Sequence, residues 1–176
     1  MTMTLYANAL LVLVVALERV VELVVSKRHE RRMLAMGGVE VGRGHYPPMV
    51  VLHTFLLVGT LVEPIVLARP FVPALGVTML ALVLLTQALR WWSIASLGVR
   101  WSTRVIVVPN APRIVRGPYR VFPHPNYVAV ILEGIALPLF HCAFITALTF
   151  TMCNAVLLAV RIRTEDAALD DAELAR

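Results

Sequence analysis

Residues 71–97 read FVPALGVTMLALVLLTQALRWWSIASL, an apolar run broken only by Gln87 and Arg90. An α-helix rises 1.5 Å per residue, so about 20 apolar residues cross the hydrocarbon core of a bilayer. The run therefore predicts a membrane-spanning helix. Two similar runs precede it, Leu5–Val25 and Met49–Ala68. The last apolar region, Tyr127–Val160, is too long for one span. Pro138 with Leu139-Phe140-His141 predicts a hairpin of two helices turning near Pro138–Cys142, its first arm short for a span. The expected fold is an all-α integral membrane protein with about five transmembrane helices.

Composition agrees. Of 176 residues, 59% are hydrophobic, and mean hydropathy is +0.79. Soluble domains are nearer half apolar. The net charge of +5 raises the question of a nucleic-acid partner. Its basic residues fall between the apolar runs, beside lipid headgroups, and form no stripe interleaved with exposed aromatics, so no nucleic-acid partner is expected. Cys142 and Cys153 lie in apolar sequence and read as inert thiols. The histidines show no metal-ligand spacing, and no metal is expected. Met1–Tyr6 carries no basic segment, and the first run has no small-residue cleavage site, so a retained helix is expected.

Lysine and arginine set the expected orientation. Lys27, Arg28, Arg31, Arg32 and Arg43 follow the first run. Arg100, Arg104, Arg113, Arg116 and Arg120 follow the third, and Arg161, Arg163 and Arg176 lie at the C-terminal end. Five spans put these segments on one side, with only Arg69 opposite. The positive-inside rule makes that side the cytoplasm of a cell-membrane protein, with the N-terminus outside and the C-terminus cytoplasmic. Trp91, Trp92 and Trp101 fall at the same interface.

The loop Gly98–Asn126 contains Pro109, Pro112, Pro118, Pro123 and Pro125, which forbid a continuous helix. Val105–Val108 and the aromatics Tyr119 and Phe122 point to a folded lid. Charges also occur within the spans. Glu18 and Glu22 share one face of the first helix, next to Arg19; Arg90 lies in the third run, and Glu133 in the hairpin's first arm. Such groups need partners or a wet cavity. Pairing of Glu18 or Glu22 with Arg90 would staple helices, and a substrate pocket would use the same residues. Glu63, before Pro64, is expected to be solvated, and His53 to be a packed histidine.

Two patches stand out: Arg116-Gly117-Pro118-Tyr119-Arg120-Val121-Phe122-Pro123-His124-Pro125-Asn126-Tyr127, and Arg161-Ile162-Arg163-Thr164-Glu165-Asp166. With Leu89-Arg90-Trp91-Trp92, Leu97-Gly98 and Trp101-Ser102 upstream, they resemble the isoprenylcysteine carboxyl methyltransferase family over roughly residues 85–170. That family shows G-x-Y, then H-P-x-Y, an apolar hairpin, and R-x-x-x-E-[ED]. Pro123 departs from the pattern, because the family usually has arginine before His-Pro; Arg120 or Arg116 would have to substitute. Glu18-Arg19, Glu22, Lys27-Arg28-His29-Glu30 and Gly44-His45-Tyr46-Pro47 look like a bacterial branch associated with type III polyketide synthases.

The resemblance implies one membrane-embedded methyltransferase domain over residues 1–176, with 1–70 as an N-terminal two-helix part and 71–176 as the catalytic core. It implies S-adenosyl-L-methionine as cofactor, held by Arg113, Ile114, Tyr119, His124, Pro125, Asn126, Tyr127 and Glu165 under the cytoplasmic loop. Arg161 and Glu165 would be catalytic, and Glu18, Glu22, Arg90 and Arg161 would meet the substrate. The implied reaction methylates a carboxylate, enol or phenol oxygen of a lipophilic molecule drawn from the bilayer. Alkylpyrone or alkylresorcinol lipids and a prenylated thiol acid are the implied classes. A phenol would need a base, for which Glu18, Glu22 or Glu133 could serve. Membrane lipids are the other expected partners, and no oligomeric state is implied. A phospholipid N-methyltransferase is a close alternative. A small transporter or assembly subunit, with the buried charges along an ion path, is the alternative of another class. No GxGxxG follows a strand, which excludes a soluble Rossmann methyltransferase.

Overall fold

The computed structural model describes residues 2–109, 111–121 and 123–174. Phe122, expected to help fold the loop, lies outside them. Five α-helices dominate: α1 (Thr2–Ala35), α2 (Tyr46–Val66), α3 (Pro73–Leu97), α4 (Pro125–Leu139) and α5 (Phe144–Leu174). Prolines open three of them. Pro47 follows the first residue of α2, and Pro73 and Pro125 begin α3 and α4. The first helical turn has no use for the N–H that proline lacks.

This is an all-α membrane protein. The segments Arg43–Val66, Pro73–Arg100 and Phe144–Asp170 are long and apolar enough to cross a bilayer. α4 is apolar but shorter, at 15 residues. α1, with 34 residues, extends about 51 Å and outreaches the hydrocarbon core. Large apolar side chains face outward, among them Val77, Leu84 and Leu85 on α3 and Leu148, Met152 and Val156 on α5. Contiguous apolar surface of this kind belongs against lipid rather than water.

α4 packs between α3 and α5, and α2 lies against α5. The shared core joins Val12 and Val15 of α1, Leu52 and Leu56 of α2, Val83 of α3, Leu137 of α4 and Phe150 of α5. α4 and α5 approach closely because position 134 is glycine. A Cβ there would lie 2.1 Å from the Phe150 ring. The α4–α5 turn falls at residues 140–143, where the hairpin is expected.

Two features depart from the sequence reading. A two-stranded antiparallel ribbon, β1 (Val39–Val41) with β2 (Val105–Val107), ties the α1–α2 connection to the long loop. Each strand is three residues long, and valine and isoleucine favour the extended form. Arg104 reinforces the ribbon, donating to Glu40 at 2.5 Å with its guanidinium 4.5 Å over the Tyr46 ring. The second departure is a correction: Glu63 is buried, not solvated. Its carboxylate accepts from the backbone N–H of Ile145 (3.1 Å) and Thr146 (2.7 Å) and from the Thr146 hydroxyl (2.8 Å). Arg69 pairs with it at 3.3 Å. The first N–H groups of a helix have no partner within it. Glu63 supplies that partner for α5 from the end of α2.

Candidate active site

Two cavities meet beneath the long loop. The first, the loop chamber, has a volume of about 350 Å³. Its roof is residues 104–108 and 111–115; its floor is the start of α4 and one face of α5. Arg161, Glu165 and Leu169 sit one helical turn apart, so all three present the same face. Arg113, Ile114, Tyr119, His124, Asn126, Tyr127, Arg161 and Glu165 all line this chamber. Pro125 lies behind them, buried as the first residue of α4.

A chain of polar contacts fixes the floor. Arg161 Nε donates to the Tyr127 hydroxyl at 2.8 Å, and that hydroxyl donates to Glu165. His124 stacks on Tyr127, with ring centroids 5.2 Å apart, and its Nε2 lies 3.1 Å from Asp166 Oδ1. Arg113 bridges from the roof to Asp170 of α5 at 2.5 Å. Burial, and then the Glu165 carboxylate, hold the Tyr119 phenol well above its usual pKa, outweighing a hydrogen bond with Ser93. Tyr119 is therefore a neutral side chain in the chamber wall at any physiological pH.

The motif glycine has a steric reason. Gly117 has φ +58°, and a Cβ there would lie 2.1 Å from Ser96 Oγ on α3. Only glycine accepts both the left-handed backbone and that approach. Of the arginines that could replace the one missing at Pro123, Arg116 donates to the Ser96 carbonyl at 2.8 Å and Arg120 is exposed; neither lines the chamber. Its cations are Arg100, Arg104, Arg113 and Arg161, and Pro123 is part of the wall.

The second cavity, the helix chamber, has a volume of about 200 Å³ and lies among α1, α2, α4 and α5. Leu23, Val50, Leu57, Val130, Leu157 and Leu158 give it apolar walls. Arg19, Glu22 and Arg90 enter it from α1 and α3. They belong to a buried network: Glu22 pairs with Arg19 at 2.8 Å, Arg90 donates to Glu133, and Gln87 joins Arg19 (2.9 Å) to Glu133 (3.3 Å). Glu22 thus meets Arg90, at 3.6 Å, as one of the two alternatives read from the sequence holds. Glu18 lies outside both chambers, accepting from Trp91 Nε1 at 3.3 Å.

Trp101, Ser102, Asn126, Tyr127 and Arg161 line both cavities and form the wall they share. The Trp101 side chain is therefore packed inside the protein. It is 3% exposed, and its carbonyl accepts from His29 Nδ1 at 2.9 Å. Its indole N–H and Asn126 Oδ1 are buried without partners among the described residues. Trp101, Ser102, Arg19, Met49 and His53 are site residues that the sequence reading did not single out as such. Only their places on α1, α2 and the loop bring them to the cavities.

The sequence model of the isoprenylcysteine carboxyl methyltransferase family matches residues 79–171. The matched stretch runs from α3 to α5 and contains the whole loop chamber; α1 and α2, which build much of the helix chamber, precede it. The chain is also 36% identical over 163 residues to the uncharacterized protein YpbQ of Bacillus subtilis (strain 168), covering 92% of this chain and 96% of that protein. An uncharacterized protein of Haemophilus influenzae (strain ATCC 51907 / DSM 11121 / KW20 / Rd) is 26% identical over 152 residues, covering 86% of this chain and 88% of its own. Since the family match takes in more than half of the chain and contains both motif stretches, around His124 and around Glu165, this protein belongs to the isoprenylcysteine carboxyl methyltransferase family, a family of membrane methyltransferases.

Proposed function

We propose that this protein transfers a methyl group from S-adenosyl-L-methionine to an oxygen of a lipophilic acceptor, at the cytoplasmic face of the cell membrane. The observation that carries the reading is the shared wall: a chamber of mixed, more polar lining under the loop and a largely apolar one among the helices meet at Asn126, Tyr127 and Arg161. A water-soluble methyl donor suits the first and a lipid suits the second.

The loop chamber fits the cofactor. A volume of about 350 Å³ lies within the range of small-molecule sites. Trp101 Nε1 and Asn126 Oδ1 offer an unused donor and acceptor to a zwitterionic ligand. Glu165 and Asp166 supply negative charge toward a sulfonium, and Arg100, Arg104 and Arg113 suit a carboxylate. When bound, S-adenosyl-L-methionine supplies a methyl group on a cationic sulfur. The chain's residues then have two tasks. Tyr127 and Arg161 hold the acceptor oxygen in line, and the largely apolar helix chamber limits the water that would solvate the charges that disappear in the transfer.

The charge of the helix chamber favours oxygen over nitrogen. Arg19 and Arg90 there are offset by Glu22 and Glu133, and Arg161 in the chamber wall attracts an anionic oxygen and repels an ammonium headgroup. This weighs against phospholipid N-methylation. The mutual pairing of Arg19, Glu22, Arg90 and Glu133 weighs against an ion path, whose charges need free partners in transit. The orientation rests on the arginine and lysine count.

Calorimetry in detergent with S-adenosylhomocysteine tests the reading. Wild type should bind, and His124→Ala and Glu165→Ala should lower affinity at least tenfold. Labelled methyl should pass from S-adenosyl-L-methionine to a neutral or acidic lipid fraction. Absence of binding by wild type would sink the proposal.

A further inference from the structure

Asn154 of α5 takes no part in the reaction described so far. It is 3% exposed and lines the helix chamber. Met152 and Val156, two positions to either side, are exposed on the lipid-facing surface. A helix turns by about 100° per residue, so Asn154 leaves α5 on the opposite face, toward the chamber. Phe150, Leu157 and Arg161 share that face at helical spacing.

The Asn154 amide makes no hydrogen bond among the described residues, and neither its oxygen nor its nitrogen is fully enclosed. Asn8, the buried asparagine of α1, is held differently: its Nδ2 donates to the Thr60 carbonyl at 2.9 Å. A carboxamide carries two donors and an acceptor. One turn beyond Asn154, Leu157 and Leu158 line the same wall. An unbonded amide in such surroundings is costly unless an occupant of the chamber bonds it.

Arg161 marks the transfer end of the chamber, because it belongs to the wall shared with the loop chamber. Asn154 precedes it by seven residues and so lies about 10 Å away along the helix axis, deeper in the membrane. An extended chain covers that distance in roughly eight or nine bonds. Asn154 is therefore beyond reach of the oxygen that takes the methyl, yet within reach of the tail of the same molecule.

We propose that Asn154 is a specificity-determining residue whose amide binds a hydroxyl or carbonyl on the acceptor's tail, about 10 Å from the methylated oxygen. The chamber then selects lipids oxygenated along the chain over plain hydrocarbon tails. The inference rests on the methyltransferase reading, to which it adds a second point of recognition.

Calorimetry in detergent tests it with three probes: decanoic acid, 3-hydroxydecanoic acid and 8-hydroxydecanoic acid. All carry an anionic oxygen suited to Arg161, and only the last sets a hydroxyl at the distance of Asn154. Wild type should bind the 8-hydroxy acid about tenfold more tightly than its 3-hydroxy isomer, the effect of one hydrogen bond. Asn154→Leu should erase that preference and bind decanoic acid at least as well as wild type does. Because the amide makes no bond among the described residues, Asn154→Leu should leave the Tm of the ligand-free protein unchanged or raised. Equal binding of the isomers by wild type, or a preference kept in Asn154→Leu, overturns the inference. A lowered Tm with the preference kept would make Asn154 a packing residue. S-adenosylhomocysteine reads out the methyltransferase assignment separately. If wild type fails to bind it, that assignment falls, and the two isomers still decide whether Asn154 recognises a tail oxygen.

Discussion

The Nε of Arg161 donates to the hydroxyl of Tyr127 at 2.8 Å, and the Tyr127 ring lies 5.6 Å from the same guanidinium. One arginine thus touches the wall common to both chambers while its Nη1 turns to Met49 in the helix chamber. A donor placed at the site of transfer matters most when the transition state forms. Removing one such donor costs roughly 10²–10³ in kcat.

Arg161→Ala should therefore lower kcat by about 10²–10³-fold and change S-adenosylhomocysteine affinity by no more than about threefold. Arg161→Lys should recover little, because a point charge does not reproduce the planar fork. Calorimetry beside single-turnover methyl transfer separates the two quantities. Equal losses of both would move Arg161 into the cofactor site and out of the acceptor site.

Glu63 gives a prediction confined to stability. Its carboxylate serves the first N–H groups of α5 and the Thr146 hydroxyl. Glu63→Ala leaves those donors buried and Arg69 without its ion partner, at a cost of about 1–3 kcal/mol. A lower Tm in detergent, with turnover per folded molecule unchanged, is the expected result. A fall in turnover at equal Tm would mean that Glu63 acts on the site and not on the fold.

The helices and the loop chamber were legible in the sequence because their signals are local. The apolar runs report lipid contact residue by residue, and the stretches around His124 and Glu165 carry the family's pattern. The helix chamber was legible only in part: Glu22, Arg90 and Arg161 were read as residues that would meet the substrate and all three line it, whereas His53, Met49 and Arg19 reach it only when α1 and α2 pack beside α5. Glu63 was misread for a related reason. Its partners are backbone N–H groups more than 80 positions away, which no side-chain pattern announces. Trp101 follows a tryptophan pair at a helix end, so a belt position was the natural reading. The loop's fold over the chamber buries it instead.

Gly117 links the motif to geometry that can be measured. With φ +58° and Ser96 Oγ 2.1 Å from a built Cβ, Gly117→Ala should push the Tyr119 segment off α3 and weaken S-adenosylhomocysteine binding about tenfold or more. Gly117→Ala with Ser96→Gly relieves the worst clash and leaves a tight 3.1 Å approach to Trp92 Nε1 and the left-handed backbone, the latter a penalty of about 1–2 kcal/mol. The double variant should regain part of the affinity. No recovery would show that the approach to Ser96 is not what dictates glycine here.

The buried pair of Arg90 and Glu133 separates packing from substrate binding. Glu133→Ala leaves Arg90 as a buried charge with one carboxylate fewer, and breaking such a pair costs about 3–5 kcal/mol. Replacing both, as Arg90→Met with Glu133→Leu, removes the orphan charge and should restore most of the Tm. If Arg90 also meets the acceptor, this double variant should stay well below wild type in turnover despite its recovered stability, while binding S-adenosylhomocysteine normally. Glu18→Gln, outside both chambers and bonded to Trp91, should move neither quantity by more than a small amount. Full turnover in the stable double variant would reduce Arg90 to a helix staple, and the acceptor would then be held by Arg161 and Tyr127 without it.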